Sequence, residues 1–120
     1  MYIGSILQQF YKEKEMKNSG IHQKVLEEIC TFAKQYDIEK VILFGSRARG
    51  DFHRTSDIDL AVIGGDVARF ALDVDEETTT LLKYDIVDLN GVVQSELRQS
   101  IEKEGKIIYE KGREFLFSTV

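Results

Sequence analysis

VILFGSRARGDFHRTSDIDLAV, residues 41–62, is the stretch that decides how this chain folds. Val41, Ile42, Leu43 and Phe44 form a short, unbroken apolar run, the pattern of an interior strand covered on both faces and expected over Lys40 to Phe44. Gly45-Ser46 ends it, because glycine lets a backbone turn sharply and approach a ligand closely. Serine is a good N-cap, so Ser46 is expected to open a short helix through Arg47, Ala48 and Arg49. A second strand is expected from Asp57 to Ile63. Its side chains alternate, with Ile58, Leu60 and Val62 on one face and Asp57, Asp59 and Ala61 on the other.

Carboxylates two residues apart on one strand face would hold their Cβ atoms roughly 6–7 Å apart, a span that suits a shared divalent ion. Without a cation or a proton between them they repel each other. The helix expected after Gly45-Ser46 would present unpaired N–H groups and a partial positive charge, where a phosphate chain binds. Arg47 and Arg49 add two candidates for charge-assisted hydrogen bonds to that chain. A phosphate cradle and metal-binding aspartates on neighbouring strands suit metal-assisted chemistry on a nucleotide. Gly45 to Gly50 also begins like a Walker A loop, but Asp51-Phe52 stand where Lys-Ser/Thr is required, and no GxGxxG occurs.

Gly45-Ser46, ten residues and then Asp57-Ile58-Asp59 match the GS-x10-DxD signature of the DNA polymerase β-like nucleotidyltransferase superfamily. VILFGSRARGD with SDIDLAV resembles more closely the minimal nucleotidyltransferases, short MNT proteins often encoded beside a HEPN partner. The likeness runs from about Lys40 to Tyr109 and includes the closing segment SELRQSIEKEGKIIYEKG. It implies an α/β domain, a small mixed β-sheet flanked by helices like the polymerase β palm. It also implies two Mg²⁺ ions, with Mn²⁺ as an alternative, and release of pyrophosphate as a nucleoside monophosphate moves to a hydroxyl. Adenine is favoured by the resemblance alone. So is the acceptor, a tyrosine of a HEPN toxin that the MNT member modifies as antitoxin. Two other readings are a module that neutralises its partner by contact and a stand-alone enzyme acting on a small molecule.

The rest of the chain bounds this reading. A length of 120 residues suits one domain with a modest core. The expected division is an N-terminal extension over 1–19, the nucleotidyltransferase domain over 20–112 and a tail over 113–120. A net charge of −5 argues against a general nucleic-acid binder, leaving Arg47, Arg49 and Arg54 as a local basic cluster. The single cysteine, Cys30, excludes an internal disulfide and a cysteine-based zinc site. No apolar run approaches a membrane span and no signal pattern opens the chain, so a cytoplasmic protein is expected.

Along the chain, Ile3, Leu7, Phe10 and Tyr11 fall at helical spacing, and Val25, Ile29, Phe32, Ala33 and Tyr36 define an amphipathic helix over Ile21 to Tyr36. His22 and Cys30 read as structural, and His53 as a solvated loop residue. Asp66 is placed to cap a helix carrying Val67, Phe70, Ala71 and Val74, which is expected to end or fray within Asp75 to Thr80. Leu81 to Leu89 reads as a third strand and offers Asp85 or Asp88 as a third carboxylate. Being three apart, they point to opposite faces, so only one can join the site. The similar D-hydrophobic-hydrophobic-D pattern of the MNT family points to Asp85. Val93, Leu97 and Ile101 mark a last helix closed by Gly105, and Lys106 to Tyr109 a last strand. Phe115 and Phe117 share one side of an extended tail and suit an oligomer or partner contact.

Overall fold

The computed structural model describes residues 18–113. Helix α1 (Gln23–Gln35) leads into strand β1 (Lys40–Phe44), the short helix α2 (Ser46–Arg49) and strand β2 (Ile58–Ile63). Helix α3 (Val67–Glu77), strand β3 (Tyr84–Asp88), helix α4 (Ser95–Glu104) and strand β4 (Lys106–Glu110) follow. The expected N-terminal helix and the Phe115–Phe117 contact lie outside the described residues.

The strands form one mixed sheet in the order β3-β2-β1-β4. Strand β1 pairs antiparallel with both β2 and β4, whereas β2 and β3 run parallel, joined by α3 as a crossover. Apolar residues alternate as the two-residue period requires. Val41, Leu43, Ile58, Leu60 and Val62 face a core shared with Val25, Leu26 and Ile29 of α1 and Phe70 and Val74 of α3. Ile42, Phe44, Ala61 and Val87 face the other way, against Leu97 and Ile101 of α4. Asp59 and Asp85, in step with Ala61 and Val87, therefore share the α4 side of the sheet.

Several boundaries differ from the sequence reading, each for a local reason. Helix α2 is capped by Gly45, and Ser46 is already its first residue; no side chain caps this end. Strand β2 starts at Ile58, leaving Asp57 as the last residue of the loop. Helix α3, by contrast, ends at Glu77, inside the Asp75 to Thr80 segment expected to close it; there Thr78 is buried, its hydroxyl donating to the Val74 carbonyl at 2.7 Å and meeting the Tyr84 hydroxyl at 2.9 Å. Strand β3 is shorter than the run of β-forming residues, and Leu81 before it is fully exposed. Asp66 caps α3 as expected, accepting from the Arg69 N–H. Among the described residues no helix is long and apolar enough to cross a membrane.

Candidate active site

The parallel pairing of β2 with β3 sets Asp59 directly opposite Asp85. Across the other edge of β2, Asp59 pairs with Phe44, so Gly45, the next residue, turns beside the Asp59 carboxylate. Gly45 adopts φ 74°, ψ −157°, a region that essentially only glycine occupies. A Cβ at this position would overlap the Asp59 carboxylate. The turn and the aspartate are thus one close-packed unit, and the glycine of the Gly-Ser pair is fixed by what lies against it.

Asp59 is half-buried, while Asp57 and Asp85 are exposed. Burial, followed by the charges of Asp85 and Asp57, holds the Asp59 carboxyl above the usual carboxylate range, and Arg49 and Arg47 offset part of that effect. The partner that acts most strongly on Asp59 is therefore Asp85, from the neighbouring strand, ahead of Asp57. Asp88 has other commitments. Its Oδ1 accepts from the backbone N–H and side-chain amide of Asn90, both at 2.8 Å, and Asn90 in turn accepts from the Gly64 N–H at 2.9 Å. Asp88 closes a turn.

The two arginines part company. Arg49 is exposed beside the turn, where it pairs with Asp51 (Nε to Oδ2, 3.2 Å) and Glu104 (Nη1 to Oε1, 3.1 Å). Arg47, expected to face phosphate, is instead buried, and its guanidinium donates to backbone carbonyls of Ser19, Arg54 and Ser56. A helix of four residues turns its successive side chains in different directions, and Arg47 faces inward. Glu104, which the sequence reading missed, accepts from both the Gly45 N–H (3.2 Å) and Arg49. Its only signal in the sequence was its place in the closing segment that shares the family likeness.

The remaining candidates stand apart from this site. His22 caps α1, its Nδ1 accepting from the Lys24 N–H at 3.2 Å, and Cys30 is buried with its Sγ 3.7 Å from the Ile108 carbonyl. His53 is exposed in the loop.

Among the described residues no three His, Cys, Asp or Glu side chains close into a ready cage for a metal ion. The donor set nevertheless fits a hard divalent cation: all oxygen, mutually repelling at Asp59, and partly open to solvent. Magnesium is commonly held by one or two carboxylates together with substrate phosphates, without a closed protein cage.

A mixed sheet with a glycine-serine turn packed against paired strand aspartates defines the class, a nucleotide-handling α/β domain. The model of the family described as Polymerase beta, Nucleotidyltransferase matches residues 27–114, and the chain belongs to that family, within which it groups with the minimal nucleotidyltransferases. It is a nucleotidyltransferase. The chain is 40% identical over 82 residues, 60% of its own length and 79% of the relative's, to a Methanocaldococcus jannaschii protein provisionally named a protein adenylyltransferase. It resembles a chain in the crystal structure of a toxin-antitoxin with AMP-PNP, at TM-score 0.59 and 26% identity, covering 78% of this chain and 81% of that one. A variant of the toxin-antitoxin MntA-HpeT gives TM-score 0.56 and 25% identity over 78% of this chain and 79% of that one.

Proposed function

We infer that this chain transfers AMP from ATP to a hydroxyl on a protein, a tyrosine of a HEPN-type partner, and so acts as the antitoxin of a toxin-antitoxin pair. The observation that carries the chemistry is the register of Asp59 with Asp85, beside a Gly-Ser turn that a side chain could not share. Support for the acceptor comes from the adenylyltransferase name of the M. jannaschii relative and from the toxin-antitoxin context of the structural neighbours.

Asp57, Asp59 and Asp85 would hold Mg²⁺, or Mn²⁺ in its place. That cation, when bound, would neutralise charge on the triphosphate and acidify the acceptor hydroxyl. The N–H groups of Ser46 and Arg47, which precede the two of Ala48 and Arg49 that donate to the Gly45 carbonyl, would seat phosphate oxygens together with the Ser46 hydroxyl, and Arg49 would compensate their charge. Asp85, the more exposed of the two in-register carboxylates, would take the proton of the acceptor hydroxyl. A bond forms between that oxygen and the α-phosphorus, the bond from the α-phosphorus to the bridging oxygen breaks, and pyrophosphate leaves.

Intact mass spectrometry tests this. The protein is incubated with Mg²⁺ and each nucleoside triphosphate, alone and with the product of the adjacent gene. A gain of one or more AMP masses on the partner, absent with Asp57→Asn, is expected. A gain on neither protein, with a stable complex, would sink the transfer reading; a gain with another nucleotide would correct the base.

A further inference from the structure

Arg47 heads the largest side chains withdrawn from solvent, at 2% exposure. A buried guanidinium is costly unless its donors find acceptors. Here Nε donates to the Ser56 carbonyl (3.0 Å), Nη1 to Ser19 (2.9 Å), and Nη2 to Arg54 (3.2 Å) and, at the outer limit, His53 (3.5 Å). The guanidinium carbon also lies 4.7 Å from the centre of the Phe52 ring. A Cβ on Gly20 would press on both Phe52 and Arg47, so the cluster has no slack on that side.

Three of these acceptors, His53, Arg54 and Ser56, belong to the loop that ends at Asp57. The segment from Asp51 to Asp57 has no helix or strand of its own. Ser56 adds a local clasp, its hydroxyl accepting from the His53 N–H (2.8 Å) and its own N–H donating to the His53 carbonyl (3.0 Å). Asp57 is exposed and sits outside β2, so its backbone position is set on one side by Ile58 and on the other by Ser56, which Arg47 grips. A loop otherwise free to sample many conformations pays that entropy at each ordered residue. Arg47 anchors it to the body of the domain, and the Ser56 clasp shapes it locally.

We propose that Arg47 is a positioning residue: it makes no contact with the nucleotide, but fixes the loop that delivers the Asp57 carboxylate to Asp59 and Asp85, and so sets the site's affinity for a divalent cation. The proposal rests on the reading of these three aspartates as cation ligands.

The test is Mn²⁺ binding, followed by electron paramagnetic resonance with and without a non-hydrolysable ATP analogue, so that no turnover is needed. Wild type is compared with Asp57→Asn, Arg47→Lys, Phe52→Leu and the Arg47→Lys/Asp57→Asn double variant, each checked for folding by circular dichroism and thermal unfolding. Arg47→Lys is expected to weaken Mn²⁺ binding about tenfold, in the range seen when a residue supporting a metal ligand is replaced. Phe52→Leu should weaken it in the same direction, and the double variant should bind no worse than Asp57→Asn alone, because both changes act through one carboxylate. Binding of the ATP analogue without metal should be unchanged. Folded Arg47→Lys and Phe52→Leu proteins with Mn²⁺ affinity within about twofold of wild type would overturn the proposal. So would a loss of metal-free nucleotide binding in Arg47→Lys, which would put the guanidinium on phosphate. Should Arg47→Lys fail to fold, Phe52→Leu decides alone. If Asp57→Asn itself leaves Mn²⁺ binding unchanged, the underlying reading of the aspartates fails, a result distinct from failure of Arg47 alone.

Discussion

A side chain at Gly45 and the carboxylate of Asp59 cannot occupy the sheet together. Gly45→Ala therefore carries two costs. One is conformational, about 1–3 kcal/mol for a non-glycine residue in this backbone region; the other is steric and falls on the aspartate itself. Gly50, at φ 93°, has nothing within 4 Å of its would-be Cβ, so Gly50→Ala should cost only about 1–2 kcal/mol of backbone strain. Chemical denaturation should show both variants destabilised, Gly45→Ala more. Only Gly45→Ala should also lose nucleotidyl transfer in excess of its loss of folded protein. Equal residual activity in the two would show that Asp59 tolerates displacement.

Asp59 is held protonated to higher pH in the folded chain than in the unfolded one, by burial and by Asp85 and Asp57. Between the unfolded value, near 3.8, and the raised folded value, the native state binds more protons, so stability falls as pH rises through that window. Asp59→Asn removes this penalty. At neutral pH the variant should melt no lower than wild type, and the difference should vanish below about pH 4. Mn²⁺ should raise the melting temperature of wild type at pH 7 and leave that of Asp59→Asn unmoved. A lower melting temperature for the variant at pH 7 would mean that the carboxylate is net stabilising.

The apolar rhythm of residues 41–62 carried most of the fold, because strands whose two faces are both covered cannot hide their pattern. Strand β1 spans Lys40–Phe44 as read, and the periodicities of α1, α3 and α4 place Val25, Phe70 and Ile101 in the core. What stayed illegible depends on contacts distant in sequence. Asp57 and Asp59 look like a strand pair two residues apart, yet the pairing that sets Asp59 against Asp85 comes from the neighbouring strand. Arg47 and Arg49 look equivalent, yet the direction of each side chain from a four-residue helix sends one into the loop and the other to the surface. Glu104 is one of several acidic residues in a charged segment, and nothing local marks it as the partner of Gly45.

Glu104 already holds the Gly45 N–H and Arg49, two groups beside the seat proposed for the triphosphate. A bound phosphate would have to compete with this carboxylate or share Arg49 with it. Glu104→Gln keeps an acceptor for the Gly45 N–H and removes the charge. The partly exposed pair is worth up to about 1 kcal/mol, so isothermal titration should show nucleotide binding roughly two- to fivefold tighter in the variant. Binding that weakens by the same factor would mean that Glu104 serves the site by orienting Arg49.

Asp85 and Asp88 lie three residues apart on one strand and should behave oppositely when changed. Asp85 stands in register with Asp59, whereas the Asp88 carboxylate accepts two hydrogen bonds from Asn90 in the turn after β3. Asp85→Asn should lower transfer at least about 100-fold, the scale of a lost general base, with little change in melting temperature because the side chain is exposed. Asp88→Ala should do the reverse. Losing the turn would cost about 1 kcal/mol of stability, while the rate per folded molecule should stay within about twofold of wild type. Single-turnover transfer with each variant, normalised to folded protein, separates the two. If Asp88→Ala stops the reaction while Asp85→Asn does not, the third carboxylate is Asp88, and β3 must shift its register against β2 when nucleotide binds.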